Sequence, residues 1–576
     1  MEYQTLISRH NFHWKNLPLE WNEGAFLGNG QLGIMVHATP RLDAIVFHLG
    51  RVDVTDHRMA PDSKTSLGVA GACVRYDFPR LDIGKMVFRP SGGIREGSFE
   101  LDIWNAELRA NIVTSLGGFS FRVVSLREKM LQVIELQGDA KISVGDWEFI
   151  PGEAISPRFQ FIKRAEDEVN KEAQEKYLGY FKNPPAEIAA HDADTSVCVQ
   201  PLLAGGDYAT AWRFQKKEPN RLLLIISTIN EIPRSGVSAQ KAVEAVAGLS
   251  DEDWRNELRS HRLAWEKFYR KSAVVIDDAE LQAFWIRQMY KMGSAVRKDG
   301  PALDLAGPWY RPNLWPGMWW NLNMQLTYFP FAPANHLDLS STLIHYFDAH
   351  FDAVCDNGWL SGSGITIGDM AWALHSYWNH YRFAGDWVAI NDKWVPKAKK
   401  VIACYQKQLV LHTDGKWHLR PMGSPEYGGF EQYPDTNYNL QLLHWLLKSL
   451  IESAHHCSEA NCELSSYQTL LDGLAPFPVD QNGLMIAVNQ GLERSHRHFS
   501  HFIGFYPLFI FDPQNPSTRE LLLKTLQHWL ELRNPNGSTD RCGFTLAIAA
   551  SQYACLNLGD KAYELIKAYL SNDILK

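Results

Sequence analysis

The hydrophobic pattern of this chain changes period part-way along, and that change limits the folds open to it. Up to about Thr228 the apolar residues come in short alternating or β-branched runs between Gly, Pro and Asp, such as Gly33-Ile34-Met35-Val36, Phe121-Arg122-Val123-Val124 and Leu131-Gln132-Val133-Ile134-Glu135-Leu136. A period of two sends alternate side chains to opposite faces, so this part reads as an antiparallel β-sandwich. From 251 to 271 the positions Trp254, Leu258, His261, Trp265 and Phe268 recur at three and four residues, the spacing of an amphipathic helix that bridges the sandwich to the C-terminal half. Beyond Asp277 the pattern predicts helices over 280–297, 338–355, 369–383, 388–411, 438–456, 467–474, 517–533, 543–556 and 560–569. Paired helices joined by aromatic, Gly/Pro-rich loops suggest an α/α toroid whose loops at one end make a cleft.

A chain of 576 residues is too long for one ordinary core, so at least two domains are expected. Hydrophobic residues make up 45% and charged residues 21%, a balance that argues for folded structure rather than long disorder. The net charge of −8 and the lack of a Lys/Arg run argue against a nucleic-acid partner, which needs a concentrated basic patch. No apolar run approaches the roughly 18 to 20 residues of a membrane span. The N-terminal residues show no signal peptide, so the expectation is a soluble, by default cytoplasmic, protein. The eight cysteines are scattered without CxxC pairs and suggest neither a zinc ribbon nor a dense disulfide framework.

Near the N-terminus, Asn29-Gly30 between Phe26-Leu27 and Leu32-Gly33-Ile34 predicts a hairpin with a type I′ turn. The surrounding Gly28-Asn29-Gly30-Gln31-Leu32-Gly33 has no following Lys-Ser/Thr and opens no helix, so a phosphate-binding loop is set aside. Chemistry is better sought in Gly317-Met318-Trp319-Trp320-Asn321-Leu322-Asn323-Met324-Gln325 and in Ser424-Pro425-Glu426. Trp319 and Trp320 offer ring faces on which a sugar could stack. Asn321 and Asn323 are two apart; in an extended stretch they face the same way and could hold a water between them. Amides cannot absorb that water's proton, so a carboxylate is needed behind them. Glu426 lies in a Pro/Gly-rich loop whose aromatic neighbours could desolvate its carboxyl and raise its pKa, as a general acid at neutral pH requires.

Three imidazoles fall within His496-Arg497-His498-Phe499-Ser500-His501, yet neither helix nor strand geometry brings all three to one side. His498 and His501 are therefore expected to hydrogen-bond sugar hydroxyls, or to serve a structural role through their ring nitrogens, rather than hold zinc, and no metal or cofactor is called for. Trp372 stands near a predicted helix start and could face the cleft, whereas Trp378 and Tyr381 read as core.

Taken in order, Leu27-Gly28-Asn29-Gly30-Gln31-Leu32-Gly33, Leu305-Ala306-Gly307-Pro308-Trp309 with Asn321-Leu322-Asn323-Met324-Gln325, Ser424-Pro425-Glu426, His496 to His501 with Gly504-Phe505-Tyr506-Pro507, and Cys542-Gly543-Phe544-Thr545-Leu546-Ala547 resemble glycoside hydrolase family 95, the inverting α-L-fucosidases and related α-L-galactosidases. The resemblance implies a β-sandwich over 1–245, a helical linker over 246–276 and an (α/α)6 barrel over 277–576, with Glu426 as general acid and Asn321 and Asn323 positioning the attacking water. Its partner would be an oligosaccharide or glycoconjugate. Two departures bear on the sugar: Trp319 stands where the family usually has His, and the loop after Glu426 reads Tyr427-Gly428-Gly429 rather than Asn-Gly. The family's basic Asp lies in an Asp-Gly-Asn-Phe-Gly-like block that nothing here matches. That gap suggests a C-terminally incomplete chain, or a divergent one in which Asp540 serves as base. The rival expectation is a catalytically inert carbohydrate-binding protein of the same fold. A lyase or phosphorylase would want a phosphate-binding basic cluster or a Tyr/His base pair, for which only Arg420 and Arg497 speak.

Overall fold

The structure is a computed structural model describing residues 3–55, 80–139, 146–155, 183–203, 205–218, 220–231, 236–311, 318–356, 367–428, 431–456, 461–533 and 541–571. It divides into two compact units, one of residues 1–319 and 326–347 and the other of 320–325 and 348–576. This division differs from a boundary at 276/277, because helices beyond that point belong to the first unit.

The first unit is built on two antiparallel sheets. Among the described residues the larger has nine strands, with β7 (Glu107–Thr114), β8 (Gly117–Ser125), β9 (Gln132–Gly138) and β14 (Arg221–Glu231) at its centre, and the smaller has five, among them β3 (Leu32–Ala38), β4 (Ile45–Arg51) and β5 (Gly84–Arg89). They pack face to face through aromatic edges, Phe47 on Phe121 at 5.4 Å and Phe88 on Phe119 at 5.2 Å between ring centroids. Such edge-to-face pairs suit the ring quadrupole and fill an inter-sheet gap about 10 Å deep.

The Asn29-Gly30 hairpin forms, with β2 (Ala25–Gly28) paired to β3, but not by a type I′ turn. Only Gly30 has positive φ, at 88°. Asn29 keeps an ordinary backbone because its side chain does the turning: Oδ1 accepts from the Gln31 and Leu32 amides at 3.0 and 2.7 Å, and Nδ2 donates to the Leu126 carbonyl at 3.0 Å. Gly33 is needed for a different reason. A Cβ there would come within 2.6 Å of the Pro308 carbonyl oxygen, so the glycine admits the 305–310 segment onto the sheet, where the Trp309 indole donates to the Leu27 carbonyl at 2.9 Å. The glycine motif is thus a close-packing device.

Helices α1 (Ser238–Ala247) and α2 (Asp251–Tyr269) cover the larger sheet, burying Val246, Leu249, Trp254 and Leu258 with Val124, Val133, Leu223 and Ile225. Ser250 and Asp253 form a capping box that starts α2. His261 of α2 is buried, accepts from the Arg127 amide at 3.1 Å and donates to the Asn105 carbonyl at 2.9 Å. Burial lowers its pKa to about 4, so the ring is neutral and its role is to lock helix to sheet. Helix α3 (Ala279–Ala295) also belongs to this unit.

The second unit is mainly helical. Beyond α4 (Leu337–Asp356), which crosses the unit boundary, it holds α5 (Ile367–Ala384), α6 (Val395–Gln406), α7 (Asn437–His456), α8 (Asn461–Gly473), α9 (Pro516–Glu531), α10 (Gly543–Cys555) and α11 (Gly559–Ser571). Helices α7 and α8 pack as a hairpin, as do α10 and α11, and α7 also packs on α5 and α6. The predicted helix over 388–411 is broken. Asp386 caps a short Trp387–Ala389 turn, a π-helical turn continues over Ile390–Trp394, and after α6 the chain forms a hairpin of β15 (Leu409–Leu411) and β16 (Trp417–Leu419). Gly415, at φ 78°, makes the turn that a continuing helix would forbid. No helix among the described residues is long and apolar enough to cross a membrane.

Candidate functional site

Glu426 is carried on a loop that the second unit fastens at several points. The Gly423 carbonyl accepts from Asn439 Nδ2 at 3.1 Å, the Ser424 hydroxyl bonds that of Ser500 at 2.9 Å, and the Pro425 carbonyl accepts from His496 Nε2 at 3.1 Å. Tyr427, buried, accepts from the Glu493 amide at 3.2 Å and donates to the Gly491 carbonyl at 3.4 Å. The 496–501 segment is itself fixed by the Trp529 indole on the His496 carbonyl at 2.6 Å and the Thr545 hydroxyl on the Arg497 carbonyl at 2.9 Å. Sequence blocks far apart along the chain therefore close around one carboxyl group.

Its electrostatics differ from the expectation. Glu426 is half exposed, at 50%, and its Oε2 accepts from His498 Nε2 at 3.0 Å and from Arg497 Nη2 and Nε at 2.5 and 3.1 Å. The hydrogen bond from His498 leads a set of effects, with Arg497, that lowers its pKa to about 2 against the opposing effect of burial. The expected upward shift is corrected: charge-assisted donors outweigh desolvation when a carboxyl keeps half its surface in water. His498 is 5% exposed, edge-on to Phe544, and presents its Nε2 to Glu426. His496 is a buried neutral ring, its pKa pushed to about 3 by burial.

The Asn321-Leu322-Asn323 segment is not extended. Leu322 has φ 63°, the Asn323 amide bonds the Asn321 carbonyl at 2.7 Å, and Asn323 opens a single helical turn over Asn323–Tyr328. The two amides thus lie on a tight turn instead of one strand face. Asn321 Nδ2 donates to Asp369 Oδ1 at 2.7 Å and to the Tyr438 hydroxyl at 3.1 Å, and that hydroxyl donates to the same Asp369 oxygen at 2.6 Å. Asp369 is 4% exposed and sits in the first turn of α5. Burial and then the Asp369 charge hold the Tyr438 phenol well above its usual pKa, so it remains a donor.

The two clusters meet at the start of α7, where Tyr438 reaches Asp369 and its neighbour Asn439 reaches Gly423. Gly368 allows that approach: a Cβ there would lie 2.5 Å from the Tyr438 ring and 2.8 Å from Asn439 Oδ1. Nothing in the sequence pattern singles out Asp369 or Tyr438. They lie 48 and 117 residues from Asn321, and an acidic residue in a first helical turn reads as helix-dipole stabilisation.

Other expected site residues are placed differently. Trp320 and Trp372 are 4% and 2% exposed and His501 is fully buried, so none offers a face to a ligand in this structure. Large rings that complete a core leave no surface for stacking; Trp372 packs on Phe499 and Tyr438, and His501, its pKa lowered to about 3 by burial, lies against Trp529. Trp319, half-buried, ends the first segment of the other unit. Asp540 lies outside the described residues. Trp378 and Tyr381 are buried.

Residues 351–575, which include Asp369, Glu426, Arg497 and His498, match the glycosyl hydrolase family 95 catalytic domain. Over those residues the chain is similar to that family's catalytic domain. A relative, the "Probable alpha-fucosidase A" of Aspergillus niger, is 24% identical over 207 residues, which cover 34% of this chain and 26% of that protein. The chain thus spans about a quarter of that relative in the match. In fold, 96% of the chain superimposes on 83% of a putative kojibiose phosphorylase from human microbiome, with a TM-score of 0.64 and 10% identity. That likeness shows a shared β-plus-α architecture.

Proposed function

We propose that this protein is an inverting exo-glycosidase that hydrolyses terminal α-L-fucosyl, or related α-L-galactosyl, residues of oligosaccharides, its helices forming part of an (α/α)6 toroid. The observation that carries the reading is Glu426 on a fastened loop within the family 95 match, 3.0 Å from His498 Nε2. In this reading Glu426 protonates the leaving oxygen while Asn321 and Asn323 hold the attacking water on the opposite face of the ring. Because the free site holds Glu426 as an anion, substrate binding must shift its contacts with Arg497 and His498 before it acts as an acid. The name of the Aspergillus niger relative supports the fucosyl assignment.

Release of L-fucose from a 2-linked fucosyl oligosaccharide tests the reading, with the Glu426→Gln variant alongside and proton NMR of the first-formed sugar. Expected are activity, inversion, and loss of turnover with binding kept in the variant. Retention of configuration, or a fully active variant, would refute it. The ionised state of Glu426 favours one second reading, a carbohydrate-binding protein without turnover, which sugar binding without hydrolysis by the intact chain would establish.

A further inference from the structure

We infer that His418 is a positioning residue for Glu426: its doubly protonated ring, held between Asp414 and Asp435, closes the neck of the loop that carries Glu426. The role rests on the glycosidase reading above. Both ring nitrogens face carboxylate oxygens, Nδ1 at 2.6 Å from Asp435 Oδ2 and Nε2 at 3.1 Å from Asp414 Oδ2. A carboxylate only accepts, so each nitrogen carries a hydrogen and the ring is an imidazolium. Asp414, half exposed, stays ionised beside it, its pKa lowered by the Lys416 amide and then by the His418 bond. Asp435 is buried; its Oδ1 accepts from the Leu419 amide at 2.6 Å, and His418 brings it the compensating positive charge.

The chain leaves β16 at Leu419 for the Glu426 loop and returns at Asp435, two residues before α7 begins. At the neck the Asp435 amide bonds the Leu419 carbonyl at 3.3 Å, and further in Met422 and Tyr433 exchange amide–carbonyl bonds at 2.9 Å. Asp435 has φ 47°, a left-handed backbone that a residue other than glycine keeps only where its surroundings over-determine it. His418 and the Leu419 amide supply that constraint, so the Asp435 carboxylate pins the exit of the loop to β16. On the hairpin of His418, the His412 ring stacks on it at 4.1 Å between centroids, and Lys416 turns away to the Asp472 carbonyl of α8 at 2.8 Å. Against burial, which lowers it, the bonds to Asp435 and Asp414 raise the His418 pKa. The clamp is therefore complete below about 6.5 and loosens as pH rises through the raised value, when one nitrogen loses its hydrogen and turns a lone pair to a carboxylate.

The test uses the full chain and two substrates, a 2-linked fucosyl oligosaccharide and α-L-fucosyl fluoride, whose fluoride departs without a proton. His418→Gln places its amide near the Nε2 position and leaves Asp435 without that donor. It should lower kcat on the oligosaccharide by about 10²-fold, with KM little changed and fluoride hydrolysis nearly intact, because only the first substrate needs a well-placed acid. His418→Asn, whose amide stands near the Nδ1 position, should restore most of that loss, and the alkaline limb that follows the His418 titration by proton NMR in the wild type should be absent from it. Asp435→Asn keeps the acceptor for the Leu419 amide and should reproduce the selective loss even if His418→Gln fails to fold. Independently of turnover, carbon NMR should show the Glu426 pKa rising from about 2 in His418→Gln and Asp435→Asn, as the released loop draws the carboxyl away from Arg497 and His498. Equal losses on both substrates, or wild-type kcat with an unchanged Glu426 titration in both variants, would overturn the inference while leaving the glycosidase reading standing, provided Glu426→Gln is impaired. Absence of turnover on either substrate by the wild type would remove that reading, and the Glu426 titration would still decide the positioning.

Discussion

Two carboxylates of the helical unit, Glu426 and Asp369, stand in opposite surroundings. Glu426 is half exposed on a loop and met by cationic or cation-forming donors; Asp369 is 4% exposed on a helix and met by an amide and a phenol. The contrast teaches that charge partners and burial are separate controls. A carboxyl near water can be held ionised by Arg497 and His498, whereas a buried one can take an amide and a phenol among its donors. Pairs of carboxyl groups set in different surroundings are what acid–base division of labour needs.

The contrast breaks most completely if the start of α7 is displaced. Gly368→Val should force the Tyr438 ring and Asn439 away, uncoupling both carboxylates at once; thermal unfolding should show a loss of about 1–3 kcal/mol or more, and turnover should vanish. Trp529→Ala acts on the Glu426 side alone. It empties a fully buried site and frees the His496 carbonyl, so denaturant unfolding should show a cost of about 3–5 kcal/mol, with Asn321 and Asp369 still joined. Tyr438→Phe acts on the other side, deleting one hydrogen bond to buried Asp369 at a cost of about 1–3 kcal/mol.

The smallest effects sharpen the electrostatic half of the comparison. Removing His498 by His498→Gln should raise the Glu426 pKa from about 2 toward its ordinary 4.5, and Arg497→Gln should raise it less, as a carboxyl titration by carbon NMR would read. Because the folded pKa is depressed, the contribution of this ion pair to stability is present above about 4.5 and is lost as pH falls through about 2. The His498 variant should therefore lose the part of the acid-side stability slope that Glu426 supplies.

Much of the fold could be read from periodicity. Alternating runs became the two antiparallel sheets, and most predicted helices appear within a few residues of their expected bounds, since amphipathic faces are set locally. Misreadings fell where a local rule met a tertiary partner. Asn29 makes its turn with its side chain because the Leu126 carbonyl is there to hold it. Trp320 and Trp372 were expected as platforms, but aromatic content alone does not say whether a ring ends in a core or a cleft. The site was partly legible: Glu426 and Asn321 were marked by loop composition and spacing, whereas Asp369 carried no signal because its partners are remote in sequence.

The sequence by itself determined the order of strands and helices and the motifs that relate residues 351–575 to a catalytic-domain family, because these depend on residues close along the chain. Only the tertiary structure decided which carboxylate stands behind Asn321 and in what state Glu426 is held. Both outcomes depend on side chains brought within about 3 Å by packing, and at that range hydrogen bonds and charge outweigh any intrinsic residue preference.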